Sequence, residues 1–335
     1  MSIWKKNLIV LWFGQFMVMS GMTMIIPFLP LYIQELGIHD EKQVAIWAGV
    51  IFAGNFVTAF LFQPFWGRLA DKYGRKMMII RSGLGMAVVM IMMGFSTSVW
   101  HLLLLRMLNG TISGYMPAAA ALVSANTPRD RIGFAMGTLQ SGAVAGTILG
   151  PVIGGLMVNW VGFAPIFFIT GTMLLIGTLV ALFMVKETFD RNQAASKPQL
   201  TIYKGFQVLR KIQELPALFA VTFMIQFAIL STMPLIPLFV QQMHGQIVLL
   251  AFYAGLVSSA MGFSNMIASP IFGRLGDRIG YRRILSMALI GAALAFIPQA
   301  FVQNVWQLMI VRFCLGFFIG GLLPSVNALI RTYTP

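Results

Sequence analysis

The stretch GRLADKYGRK, residues 67–76, lies between two long apolar runs and decides the fold. Five charged residues and two glycines between segments of membrane length predict a solvated loop at a bilayer surface. A second copy, GRLGDRIGYRR at residues 273–283, also separates two apolar runs. At a shift of 206 residues Asp71 aligns with Asp277, so the chain is predicted to consist of two related halves.

The composition is that of an all-α membrane protein. Hydrophobic residues make up 58% of the chain, charged residues only 10%, and the mean hydropathy is +0.84. A spanning helix needs about 20 apolar residues. The charge-free intervals accommodate ten such spans, which predicts a multi-pass protein embedded in the lipid bilayer.

The net charge of +14 is distributed in a way that excludes a nucleic-acid partner. All but three of the 23 Lys and Arg residues fall at the amino terminus or in every second loop; the exceptions are Lys42, Arg106 and Arg312. Basic residues collect on the cytoplasmic side of membrane proteins. The charge therefore indicates membrane topology, with the amino terminus in the cytoplasm.

The repeat extends along the whole chain. Span 1 carries Pro27 and Pro30 near its outer end, and span 7 carries Pro234 and Pro237 at nearly the same shift. Spans 4 and 10 align in the same way, with a tryptophan, an arginine and two glycines each. Two halves repeated in the same orientation are typical of one class of transporter.

The repeat also predicts the domains. We expect a first six-helix bundle over residues 1–190, a cytoplasmic linker over 191–214, and a second bundle over 215–335 that stops after its fourth helix. Pro335 corresponds to Pro128, and two further spans follow Pro128 in the first half. The chain is therefore expected to carry ten spans of a twelve-span protein.

Three motifs resemble those of the major facilitator superfamily. GRLADKYGRK is similar to the signature between its spans 2 and 3, Leu105 to Gly114 to its span 4 motif, and residues 142–155 to its span 5 antiporter motif. The resemblance implies two helical bundles around a central cavity, rocking-type alternating access, and export of drugs from a bacterial cytoplasm across the plasma membrane by proton antiport.

The resemblance gives the first motif a gating role in the cytoplasmic half. The alternative for Asp71 is a solvated turn residue that caps the next helix. The motif residues that match the family are Gly67, Asp71, Gly74, Arg75 and Lys76.

The span 5 glycines stand four residues apart, so they form a groove that lets another helix approach closely. In the family this groove faces the other half; plain helix packing is the alternative. The residues of the motif are Gly142, Gly146, Gly150, Pro151, Gly154 and Gly155.

Arg106, Glu35 and Arg312 are the candidates for proton coupling. Arg106 lies about seven residues inside span 4, and an arginine in hydrocarbon needs a cavity or a partner; snorkelling is the alternative. Arg312 is its counterpart in the repeat. Glu35 is the carboxylate nearest to a cavity, and the alternative is a surface anchor.

Uncharged polar side chains within the spans are the candidates for a substrate cavity, although each could instead bond another helix. They are Gln15, Asn55, Asn109, Gln140, Gln226 and Asn265.

The predicted partners are a small-molecule substrate, protons and lipid, and the protein is predicted to be a monomer. No nucleophile with a base, metal cluster or phosphate loop appears in the sequence, so we expect neither an enzyme nor a cofactor. The alternatives are a metabolite or nutrient transporter of the same fold, a non-transporting receptor, and an inactive truncated fragment.

Overall fold

A computed structural model describes residues 2–128, 131–187, 212, 214–244 and 249–333. The chain divides into two units, Met1–Pro198 and Gln199–Pro335. The linker predicted over residues 191–214 lies outside the described residues except at Ile212 and Glu214.

The described part of the first unit consists of eight helices. They are α1 (Ile3–Met24), α2 (Leu29–Glu35), α3 (Glu41–Tyr73), α4 (Arg75–Met93), α5 (Val99–Ile112), α6 (Tyr115–Asn126), α7 (Ile132–Val161) and α8 (Phe163–Met184).

Helix α1 is central to the packing of this unit, since it contacts α6, α7 and α8. Helix α4 packs against α8, and α3 packs against α5. Leu11, Met86, Tyr115 and Leu174 are buried together in the core. A bundle of this kind buries apolar side chains between helices and leaves the remaining apolar surface for lipid, as for Phe60 and Phe183, both more than three-quarters exposed.

The second unit repeats the arrangement with fewer elements. Its helices are α9 (Leu215–Thr232), α10 (Ile236–His244), α11 (Leu250–Ile279), α12 (Tyr281–Phe296) and α13 (Val305–Tyr333), with short 3-10 turns at Met233–Leu235 and Ile297–Ala300. Helix α13 packs against both α11 and α12. Its core includes Ala288, Leu315, Leu322 and Val326.

Nine of the ten predicted spans are long and apolar enough to cross a membrane, counted over the described ranges. Span 4 differs, because it is divided into α5 and α6. The break falls at Ser113 and Gly114, where Gly114 has a φ of +137°. The corresponding span of the second half is the unbroken helix α13.

The loop predicted at residues 67–76 is wrong, because this stretch is helical on both sides of one residue. Helix α3 runs for 33 residues to Tyr73 and α4 begins at Arg75. At 1.5 Å per residue α3 is about 50 Å long, so it extends past a hydrocarbon core of about 30 Å. Gly74 makes the turn with a φ of +96°, and Gly280 makes the same turn between α11 and α12 at +93°. Both turns need a backbone conformation that glycine adopts readily.

Candidate functional site

Arg106 is buried within the first unit. Only 6% of its surface is exposed, and it lies near the middle of α5, the first part of the divided span. Its Nε and Nη2 atoms are buried and have no hydrogen-bond partner in the described part of the chain. A buried guanidinium with open donors costs free energy unless an acceptor approaches it.

An amide pair lies one helical turn further along the same face of α5. Asn109 Nδ2 donates to Asn55 Oδ1 on α3 at 3.0 Å, and both side chains are buried. Thr58 Oγ1 adds a 2.8 Å bond to the Met107 carbonyl. Of the two alternatives for Asn55 and Asn109, the structure shows interhelical bonding, while Asn109 Oδ1 still lacks a partner among the described residues.

Gly110 makes this close contact possible. A Cβ at Gly110 would collide with the Asn55 carbonyl and the Thr58 hydroxyl. Gly316 is its counterpart at the shift of 206 and approaches the Met261 carbonyl in the same way. The two halves therefore share a close helix contact beside each intramembrane arginine.

Arg312 has a different environment from Arg106. It is 3% exposed, and its Nη1 lies 3.7 Å from the sulfur of Met261, which occupies the position of Asn55 in the repeat. Its Nε is buried without a partner in the described region. The second half thus places a weak thioether acceptor where the first half has an amide.

The other substrate-cavity candidates are scattered. Gln15 is 3% exposed on α1, and its Oε1 has no partner among the residues described. Gln140 on α7 and Gln226 on α9 are exposed, and Asn265 on α11 is half-buried. Among the described residues, one side-chain hydrogen bond joins two members of this set, the bond between Asn55 and Asn109. Glu35 is exposed at the end of α2.

The span 5 glycines of α7 pack against α1 within the first unit. The Trp12 carbonyl would lie 2.8 Å from a Cβ at Gly142, and the Phe16 carbonyl at the same distance from one at Gly146. Gly150 and Gly154 likewise meet α1 first, while Pro151 and Gly155 are buried in the same helix. The nearest neighbours of these four glycines all belong to α1, as the alternative of plain helix packing expects, and the implied role toward the other half stays a prediction.

A carboxylate that sequence reasoning missed caps α4. Glu187 Oε1 accepts from the Arg75 backbone N–H at 3.0 Å, and Oε2 accepts from that of Lys76 at 2.8 Å. Carboxylates stabilise helix amino termini by satisfying these free donors. The alternative for Asp71 holds in part: its side chain is exposed, but the carboxylate that caps α4 is Glu187, 111 residues beyond Lys76.

The segment that follows α8 also bonds to α1. Asn7 Nδ2 donates to the Lys186 carbonyl at 2.7 Å, and the Lys186 N–H donates back to Asn7 Oδ1 at 3.0 Å. Asn7 lies near the start of α1 and is 1% exposed. Residues 186 and 187 therefore link the starts of α1 and α4.

Arg81 is a second residue that the sequence did not single out. The charge pattern assigned it to the membrane surface, but it is half-buried, and its guanidinium carbon lies 3.4 Å from the ring centroid of Trp66. Stacking of this kind is favourable because the aromatic face is electron-rich. Its neighbourhood is a cavity of about 270 Å³ that Asp71, Arg75 and Gly114 also line.

These features define a membrane transporter of a known family. The Major Facilitator Superfamily profile matches residues 11–263 and 249–335, and the chain belongs to that family. It is 42% identical over 327 residues to the multidrug resistance protein MdtG of Proteus mirabilis, covering 98% of this chain and 81% of that protein. It is 41% identical to MdtG of Escherichia fergusonii, covering 98% of this chain and 80% of the relative.

Solved structures share the fold at low sequence identity. The nucleoside transporter NupG superposes with a TM-score of 0.80 at 14% identity, covering all of this chain and 84% of that one. The human organic anion transporter MFSD10 gives 0.71 at 16% identity, covering 99% and 87%. The predicted fold and family resemblance are confirmed.

Proposed function

We propose that the protein exports drugs or other amphipathic toxic compounds from the bacterial cytoplasm by proton antiport with alternating access. The observation that carries the proposal is Arg106, a buried intramembrane guanidinium with two nitrogens that have no hydrogen-bond partner among the described residues. The relatives named MdtG, at about two-fifths identity over nearly the whole chain, support the class of substrate.

The proposed role of Arg106 follows from its charge and burial. A guanidinium stays protonated in proteins, so it does not itself carry the transported proton. A carboxylic acid that comes beside it is ionised more readily, because the opposite charge favours the carboxylate. Arg106 would therefore promote proton release in one conformation, and the carboxylate returns to its protonated form when it moves away.

The amide pair beside Arg106 supports its placement. The Asn55–Asn109 bond and the Gly110 contact fix α5 against α3, so the backbone that carries Arg106 is held by buried polar and steric contacts. Arg312 is proposed to play a smaller part in coupling, since its Nη1 already has a thioether neighbour.

The motif at residues 67–76 is proposed to gate access at the cytoplasmic face, with the amino terminus on the same side. Charge-assisted hydrogen bonds can bias two rigid arrangements of a bundle. Glu187 makes two such bonds to the motif. The substrate is proposed to contact Gln15 and Gln140, and the protein is proposed to act as a monomer.

The experiment is dye exclusion by cells that express the protein. We expect expressing cells to accumulate less of a fluorescent amphipathic dye than vector controls, and a protonophore to abolish the difference. Arg106→Ala should lose exclusion at unchanged membrane abundance, whereas exclusion by Gly137→Ala should be retained, because open space surrounds that glycine. Dye exclusion that persists in the presence of the protonophore would argue against proton antiport.

A further inference from the structure

The break in span 4 leaves backbone carbonyls without a helical partner, and the Ser113 carbonyl would lack one even in a continuous helix, because Pro117 has no N–H. The last carbonyls of a helix have no partner within it. Ser113, the residue after α5, bonds the Gly110 carbonyl through its hydroxyl at 2.7 Å. The carbonyls of Thr111 and Ser113 need other donors, because unpaired backbone groups are costly in an apolar environment.

Two side chains from the charged end of the bundle supply those donors. Trp66 Nε1 on α3 donates to the Thr111 carbonyl at 2.6 Å. Arg81 Nη2 on α4 donates to the Ser113 carbonyl at 3.4 Å. Since the guanidinium also stacks on the indole, each donor holds the other in place; we call this pair the Trp66–Arg81 clamp.

The second half provides an internal comparison. At the shift of 206, Phe272 stands in place of Trp66 and Met287 in place of Arg81, so neither donor is present. Phe317 replaces Thr111, and its ring packs on Phe272 with centroids 5.3 Å apart. The corresponding span there is the unbroken helix α13.

Glycine alone does not explain the difference. Gly114 and Gly320 are repeat partners, yet only Gly114 has a positive φ. A proline follows in each half, Pro117 three residues after Gly114 and Pro324 four residues after Gly320, and α13 continues through Pro324. The polar clamp and the earlier proline therefore both accompany the break, and only the clamp ties it to α3 and α4.

We propose that Trp66 and Arg81 are positioning residues that hold span 4 in its broken form. The clamp sets the direction of α5, which carries Arg106 and Asn109, relative to α6. Trp66 directly precedes the charged motif and Arg81 lies on α4 behind Arg75, so a movement of the motif is passed to the break. The effect of the clamp on export rests on the proposed function. Its effect on the shape of span 4 does not depend on that function.

The test replaces the clamp by the residues of the second half. Spin labels at Leu104 and Ser124, both exposed on α5 and α6, report the distance across the break in a Cys314→Ser background. A continuous helix would place these positions about 30 Å apart. In Trp66→Phe with Arg81→Met we expect the distance to move by about 3 Å or more toward that value, or its distribution to broaden clearly.

A second variant tests whether the geometry of the clamp matters or only the positive charge at position 81. Arg81→Lys keeps the charge but cannot lie flat on the indole while donating to the Ser113 carbonyl. It should shift the labels in the same direction as the double variant, and it remains informative if the double variant does not fold. Labels at Ile310 and Asn327, exposed on α13, are the control and should not move in either variant.

The outcomes are distinct. Unchanged distances in Arg81→Lys and in the double variant would overturn the proposal, as would an Arg81→Lys variant that behaves like the parent protein while the double variant shifts. If the distances shift and dye exclusion falls severalfold, the positioning role is supported. If the distances shift and exclusion is intact, the clamp does not position export residues. If the parent protein exports no dye, the proposed function fails while the distance result stands.

Discussion

Asn109 donates a 3.0 Å hydrogen bond to Asn55 across the contact between α5 and α3, beside a glycine that cannot accept a Cβ. The bond lies one turn from Arg106, on the helix that the proposed export mechanism depends on. Both side chains are buried, so water does not readily replace this hydrogen bond.

The amide pair predicts a particular pattern of stability. Asn109→Leu should lower the free energy of unfolding by about 1–3 kcal/mol, because it removes the donor to the buried Asn55 Oδ1. The double variant Asn55→Leu with Asn109→Leu should cost less than the sum of the two single changes. Thermal unfolding in detergent measures this, and fully additive losses would contradict an energetic link between the two residues.

The packing of α7 on α1 predicts a strong response to an added methyl group. Gly146→Ala would place its Cβ 2.8 Å from the Phe16 carbonyl, so the two helices must separate. Overpacking of this kind costs about 1–3 kcal/mol. Gly137→Ala on the same helix is the control, since no described atom outside its own stretch of helix lies within 4 Å of its Cβ position. Equal melting temperatures for both variants would argue against the close contact.

The Glu187 cap predicts a charge effect at the start of α4. Glu187→Ala removes the acceptor for two backbone N–H groups and should cost about 0.5–2 kcal/mol. Glu187→Gln keeps one oxygen and should lose less. Glu214→Gln is the control, because Glu214 precedes α9 without a side-chain cap bond. If Glu187→Ala melts like the parent protein, the cap contributes nothing to stability.

The two intramembrane arginines should differ in their effect on export. Among the described residues, Arg106 has two buried nitrogens without a hydrogen-bond partner, Nε and Nη2. Arg312 has one, Nε. Arg106→Ala should therefore reduce dye exclusion tenfold or more, and Arg312→Ala only severalfold. Initial rates at matched membrane abundance measure this, and a larger loss in Arg312→Ala would reverse the ranking.

The sequence predicted those features that depend on local composition. Apolar runs, alternating basic loops and the shift of 206 predicted the helices and their repeat, and the resemblance of three motifs predicted the family, which the profile match confirms. The broken span was missed, because Gly114 and Gly320 look alike along the chain. The residues before Gly114 differ from those before Gly320 in that Trp66 and Arg81, 48 and 33 residues before Gly114, bond the carbonyls of Thr111 and Ser113.

The cap of α4 was missed for the same reason. Asp71 lies three residues before Gly74 and was the obvious local candidate, whereas Glu187 reaches Lys76 from 111 residues away. The glycine spacing on α7 predicted a close helix contact but could not name the partner. Partners of this kind are determined by the tertiary packing of the bundle.

The most direct test of the central claim is transport by the purified protein in liposomes with an imposed pH gradient. We predict that protein oriented with its amino terminus outside takes up an amphipathic dye when the lumen is acidic, that the rate collapses when a protonophore dissipates the gradient, and that Arg106→Ala abolishes uptake. Dye movement at an equal rate with and without the gradient, or full activity in Arg106→Ala, would contradict the account.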